Sequence, residues 1–275
     1  MHTGLHIALA AERLGTLWGV PITNTLVTQW LVIVTLALVA FFVGRNPTLI
    51  PGQVQNFFEM LFEFVIDYME NILGTRALAV RFFPLIATIF LFICASNLFD
   101  FLPFFGSVGV FVPGAVGGAA GAREFVPLFR PVNTDLNVTL ALAIIAVLSI
   151  EVSGVIAIGF WRYAGKFFNF SSPLNFVVGL IEFVSEMSRF ISFSFRLFGN
   201  IFAGEVLLAV AGYFMPYFLP VPLMAFETFV GIVQAGVFAM LTLFFIKLAI
   251  AMPHGQTHDT AHASPHGNAA HVVIE

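Results

Sequence analysis

Hydrophobic positions gather into five long runs, at about 25–44, 82–105, 136–161, 175–214 and 222–252. Each exceeds the roughly 17 residues a helix needs to cross hydrocarbon, so five transmembrane helices are expected. Between the first two runs, in "QVQNFFEMLFEFVIDYMENIL" (53–73), Phe57, Phe58, Leu61, Phe64, Val65, Tyr68 and Ile72 recur at helical spacing. They alternate with Glu59, Glu63, Asp67, Glu70 and Asn71, which predicts an amphipathic helix along the membrane interface after Pro51 and Gly52. Its apolar stripe suits packing on the chain's own spans and docking a partner equally. Residues 106–134, rich in Gly, Ala, Val and Pro, read as a loop.

The fourth and fifth runs are too long to stand upright. About forty helical residues rise roughly 60 Å, against a hydrocarbon core of about 30 Å. By that ratio the helix tilts near 60°, well beyond the usual tilt of about 20°, or it breaks. The connecting "MPYFLPVP" suits a tight turn, so the last two spans are expected to form a long, steeply tilted hairpin.

Composition supports this all-α integral membrane fold: 59% of residues are hydrophobic and 9% charged, with 35 phenylalanines. The net charge of −4 gives no reason to expect nucleic-acid binding. The single cysteine, Cys94, excludes an internal disulfide and a multi-cysteine metal site. No cofactor or metal is expected. The start of the chain lacks the pattern of a cleavable signal peptide. Arg45, Arg76, Arg81, Arg162, Lys166 and Lys247 fall on one side of the spans, and Arg13, Arg123 and Arg130 on the other. That bias places the C-terminus in the cytoplasm. Residues 1–24 are then an extracytoplasmic segment and 25–252 one membrane domain. Residues 253–275 are a histidine-rich tail in which Gly255, Pro265 and Gly267 oppose a metal-binding helix. No histidine lies inside a span, so an intramembrane proton relay would have to use carboxylates.

The chemistry concentrates in the fourth run. Taking about 100° per residue, Glu182, Ser185, Arg189, Ser192 and Asn200 fall within about 40° of Arg196. They form a polar stripe leading from the arginine to the cytoplasmic end, and Gly199 and Ala203 continue that face with small side chains that admit another helix. Glu205 lies about 180° round the helix and roughly 13 Å further out. In the fifth run, Glu227, Gly231 and Gln234 share a face, and the antiparallel turn brings Glu227 to the depth of Glu205. A charge at mid-bilayer depth costs about 2.5–3.5 kcal/mol on insertion scales, which marks Arg196 as part of an ion pathway. The structural alternative is an arginine paired with a buried carboxylate to fix helix packing.

At this point the residues resemble a known family. "FRLFGNIFAGE" (195–205) is similar to the signature of subunit a of the F-type ATP synthase, and "ETFVGIVQAGVFAMLTLFF" (227–245) to its last helix. "NLFDFLP" (97–103) and "NTDLNVTLALA" (133–143) resemble its second-span motif and the start of its next span. The resemblance implies a non-catalytic, proton-conducting stator subunit in a bacterial inner membrane, with a c-subunit ring, b-type peripheral stalk subunits and the rest of the complex as partners. Arg196 would face the ring carboxylates. Glu182, Ser185, Arg189 and Ser192 would line the inner half-channel, and Asn200, Glu205, Glu227 and Gln234 the outer one. Asn97, Asp100 and Asp135 would stand near the outer mouth, although helix capping and loop hydrogen bonding explain them, and Asn137, equally well. The family pattern has a histidine at one of the positions matching Glu205 and Glu227. Here both are glutamate, and two neighbouring carboxylates are expected to share a proton. Glu151, in the third run, has no assigned role beyond pairing with a basic residue.

A self-contained transporter would show internal repeats, which the sequence lacks. An intramembrane metalloprotease would need H-E-x-x-H or a histidine within a span, and the sequence has neither.

Overall fold

The computed structural model describes residues 12–17, 20–45, 52–102, 108–113, 123–167, 173–216 and 218–251. The histidine-rich tail and the first eleven residues lie outside them. Five helices are long and apolar enough to span a membrane: α1 (Asn24–Gly44), α3 (Arg76–Phe99), α4 (Leu136–Ile158), α6 (Pro173–Phe214) and α7 (Pro220–Ile250). With α2 (Gln53–Leu73) and the short α5 (Phe160–Phe167), they make an all-α integral membrane protein.

The core is where α3, α4, α6 and α7 meet. Ile89, Ile93, Leu142, Ala143, Ala146, Phe193, Leu197, Ala235 and Phe238 form one buried cluster, centred on an edge-to-face pair of Phe193 and Phe238 at 4.9 Å. A second cluster at the other end joins Met69 of α2 to Ala79, Ile86, Ile150, Ala239, Leu243 and Ile246. Most other large apolar side chains point outward, as lipid-facing residues do.

Helix α2 therefore packs on its own spans through Val65, Ile66, Met69, Ile72 and Leu73. Phe57, Leu61, Phe64 and Tyr68, counted in the same apolar stripe, are exposed. Gly74, at φ 86°, caps α2 and turns the chain directly into α3. Arg76 then reaches back to Asp67 at 2.9 Å and to Glu63 and Glu70 at 3.5 Å.

Several boundaries differ from the sequence reading. The second span runs 76–99 rather than 82–105, because the corner at Gly74 starts the helix early. Arg76 finds carboxylate partners on α2, so an apolar run is not what limits the helix. The third span stops at Ile158, where Gly159 at φ 92° redirects the chain into the unexpected helix α5. The 106–134 segment is not all loop: β3 (Gly109–Pro113) pairs antiparallel with β4 (Arg123–Pro127), and a 3-10 turn covers Val132–Thr134. β1 (Arg13–Leu17) and β2 (Val20–Thr23) form another hairpin ahead of α1. Both hairpins are too short to show as periodicity.

Tyr163 of α5 folds back onto α4, where its ring occupies the space a side chain at Gly154 would need: a Cβ there would sit 2.5 Å from Tyr163 Cε2. Gly154→Val should therefore destabilise the protein by about 1–3 kcal/mol through overpacking. Gly165→Val, on the same short helix with open space around it, is the control. Thermal unfolding of the two purified variants against the parent checks this, and an unchanged midpoint for Gly154→Val would contradict it.

Candidate ion path

The rotation of α6 about its own axis decides what each functional side chain meets. Phe193, Ser194, Leu197 and Ile201 are buried, and the Ser194 hydroxyl lies 3.4 Å from that of Thr139 on α4. With that stripe facing inward, Ser192 and Arg196 must face outward, and both are exposed. Arg196 Nη2 donates to Ser192 Oγ at 3.2 Å, and among the described residues no carboxylate lies within ion-pair distance of it. The arginine is thus not a packing partner within this chain. Gly199 and Ala203 continue the same face, and nothing lies within 4 Å of a Cβ added at Gly199.

Glu205 points the other way, into the protein. Its Oε2 is 3.9 Å from Nη2 of Arg130, which is only 5% exposed. Glu227 of α7 and Asp100, at the end of α3, belong to the same group: Asp100 interacts electrostatically with both glutamates, and Glu227 with Glu205. One oxygen of each carboxylate, Asp100 Oδ1, Glu205 Oε2 and Glu227 Oε2, is buried without a hydrogen-bond partner. Each carboxylate thus keeps one oxygen able to accept a further hydrogen bond. The expected glutamate pair therefore has Asp100 within electrostatic reach of it and an arginine beside Glu205.

Asn97 braces this group. Its Nδ2 donates to the Gly231 carbonyl at 2.9 Å, and its Oδ1 accepts from Asn133 Nδ2 at 2.6 Å, which ties α3 to α7 and to the 3-10 turn. Asp135 caps α4 by accepting from the Asn137 N–H at 2.9 Å, and also accepts from the Thr25 hydroxyl at 2.9 Å. It lines an open cleft with Arg13, Thr23, Thr25, Gln29 and Asn137, on the other side of the turn from Glu205. Gln234 is buried on α7 with its Nε2 unpartnered.

A cavity of about 180 Å³ lies between α6 and α7. Asn200, Ala203, Gly204 and Leu207 line one wall, and Leu223, Glu227 and Val230 the other. The Glu227 carboxylate fills the space left by the absent side chain of Gly204. Asn200 and Ala203 belong to the Arg196 side, so Glu227 borders a space shared with the outward face.

Towards the N-terminal end of α6, its polar residues split between two environments. Ser185 is exposed on the Arg196 side, while the Arg189 guanidinium stacks on the Phe245 ring at 4.0 Å. Glu182 is half-buried and Glu186 is buried. Glu151 accepts from the Tyr163 hydroxyl at 2.7 Å, so the partner found for it is a phenol rather than a base. Burial, and then the Glu151 hydrogen bond, push that hydroxyl far above its usual titration range.

Sequence reasoning had no role for Gly204, Arg130, Thr134, Asn133, Glu186 or Tyr163. Gly204 carried a signal, since it lies inside the quoted "FGNIFAGE" next to Glu205. Arg130 carried none beyond its charge, because its partner is 75 positions away. No group of three acidic, histidine or cysteine side chains suited to a metal ion occurs among the described residues.

Comparison with known proteins identifies the family. The family described as ATP synthase A chain matches residues 26–247. The chain is 32% identical over 242 residues to "ATP synthase subunit a, sodium ion specific" of Propionigenium modestum, covering 88% of this chain and 78% of that protein. It is 33% identical over 272 residues to the ATP synthase subunit a of Desulfotalea psychrophila, covering 92% and 99% respectively. With that of Moorella thermoacetica it shares 30% over 227 residues, covering 82% and 90%. A family match over most of its length and five apolar spanning helices place this chain in the ATP synthase A chain family, in the membrane sector of the F-type complex.

Proposed function

We propose that this chain is the proton-conducting stator subunit of its complex, non-catalytic itself, with Arg196 facing a ring of c subunits. The observation that carries this reading is the outward Arg196, with no acidic partner among the described residues, on a face lined by small residues, while Glu205 turns inward. The outer path runs through Asp100, Glu205 and Glu227 to the cavity beside Asn200, and Gln234 lies further along the same helix. The inner path leaves the Arg196 level along Ser192, Arg189, Ser185 and Glu182. Asn97 and Asp135 shape the outer end. Peripheral stalk subunits complete the stator.

The mechanism is electrostatic. A proton arriving through the outer carboxylates neutralises a ring carboxylate, which can then turn into lipid. On reaching the inner path it meets a polar environment and releases the proton. Arg196 separates the two paths: its positive charge favours the ionised ring carboxylate and repels a proton crossing directly. Arginine suits this because, unlike lysine, it keeps its charge when desolvated. The distribution of basic residues supports a bacterial inner-membrane location with the C-terminus in the cytoplasm. The relative named sodium ion specific makes sodium the alternative cargo, and ATP-driven acidification of inverted vesicles with and without sodium separates the two.

Arg196→Ala should abolish ATP synthesis and ATP-driven pumping while passive proton leak persists or rises, and Arg196→Lys should restore little. Near-normal pumping by Arg196→Ala vesicles would overturn the assignment.

A Cβ added at Gly199 meets no described neighbour within 4 Å, so a Gly199→Leu subunit should insert and accumulate normally. On a ring-facing surface the added bulk should still cut pumping by about tenfold or more, since close helix contact depends on small residues. Normal pumping would show that this face meets lipid instead.

Glu205→Gln and Glu227→Gln should each retain reduced pumping. The double variant leaves only Asp100 in the group and should lose coupled transport almost completely. A double variant that pumped like either single one would mean that the glutamates are structural and water alone carries the proton.

A further inference from the structure

The outer carboxylates come from three helices, α3, α6 and α7, and each keeps a buried oxygen without a donor. Into this group projects one cation, Arg130, from a segment of a different kind. Its backbone N–H donates to Thr28 Oγ1 at 3.2 Å, and the Thr28 hydroxyl donates in turn to the Asn24 carbonyl of α1 at 3.2 Å. The following residues, Val132, Asn133, Thr134 and Asp135, are all buried. The arginine is therefore anchored through its main chain to α1, while its guanidinium is aimed at Glu205 across 3.9 Å. Asp100 and Glu227 are the other charged groups of that cluster, and Asp135 is held apart by Thr25 and Asn137.

We propose that Arg130 is a positioning residue for ion transfer, the fixed counter-charge that holds Glu205 in place and balances one negative charge of the Asp100–Glu205–Glu227 group. The inference rests on the proposed outer path. Three carboxylates gathered in a low-dielectric site repel one another, and without a cation they can coexist only by keeping protons bound. Such a group would store protons rather than pass them on. One permanent positive charge, which arginine supplies throughout the working pH range, leaves a group able to gain and lose a proton. Arg130 acts through Glu205 and does not itself receive the ion.

The test uses the assembled complex in inverted membrane vesicles, with ATP-driven proton pumping read against the amount of this subunit in the membrane. Arg130→Gln should lower pumping by about tenfold or more, since it leaves a buried charge uncompensated. Arg130→Lys should recover a substantial part of it. Adding Glu205→Gln to Arg130→Gln should raise pumping to the level of Glu205→Gln alone, because the carboxylate needing compensation is gone. Where Arg130→Gln fails to accumulate, the double variant should restore accumulation for the same reason. Normal pumping by Arg130→Gln, or a double variant no better than Arg130→Gln in pumping or accumulation, would overturn the proposal. Wild-type pumping by Glu205→Gln alone would count against the outer path itself, so the two failures are distinguishable.

Discussion

The burial of one side of α6 governs the rest of the site. Phe193, Ser194, Leu197 and Ile201 lock against α4 and α7, and the contact leaves no freedom of rotation at Arg196, one residue before the fully buried Leu197. A rotation of one residue, about 100°, would bury the guanidinium in the aromatic core and turn Leu197 to the open face. Close packing of Phe193 on Phe238 resists that rotation, since displaced rings lose both contact area and edge-to-face geometry. The functional polarity of the helix is thus set by apolar side chains.

With α6 oriented, opposite charges are kept apart by the helix itself. Arg196 lies on one side with no acidic partner among the described residues, and Glu205 on the other with Arg130. The cavity beside Gly204 is the place where the separation thins, because a missing side chain lets the Glu227 carboxylate lie against α6. Polar groups around it are held by main-chain anchors: Asn97 to the Gly231 carbonyl, Asp135 to the start of α4, and Arg130 to Thr28. In hydrocarbon such anchors matter, since a polar group without a partner has no water to replace it.

The inner end follows different physics. Glu151 and Tyr163 form a half-buried hydrogen bond, and Arg189 lies over an aromatic face. Exposed ion pairs of Arg76 to α2 contribute little on their own because solvent screens them, so α2 is held mainly by Met69 and its apolar neighbours. The exposed Phe57 and Phe64 of α2 show that one helical stripe can be divided between a core and an outer surface.

The number of spans, the length of the last two and the place of Arg196 opposite Glu205 were all legible in the sequence, because each depends on local periodicity along a single helix. The family likeness was legible for a related reason: its motifs are contiguous runs such as "FRLFGNIFAGE". What the tertiary structure decided is everything that depends on which helices touch. Arg130 meets Glu205 across 75 positions, and Asp100 joins two glutamates from two other helices, so no periodicity could signal either contact. The early start of α3 and the break at Gly159 escaped for another reason. Each is a backbone turn at a positive-φ glycine, which hydropathy does not register.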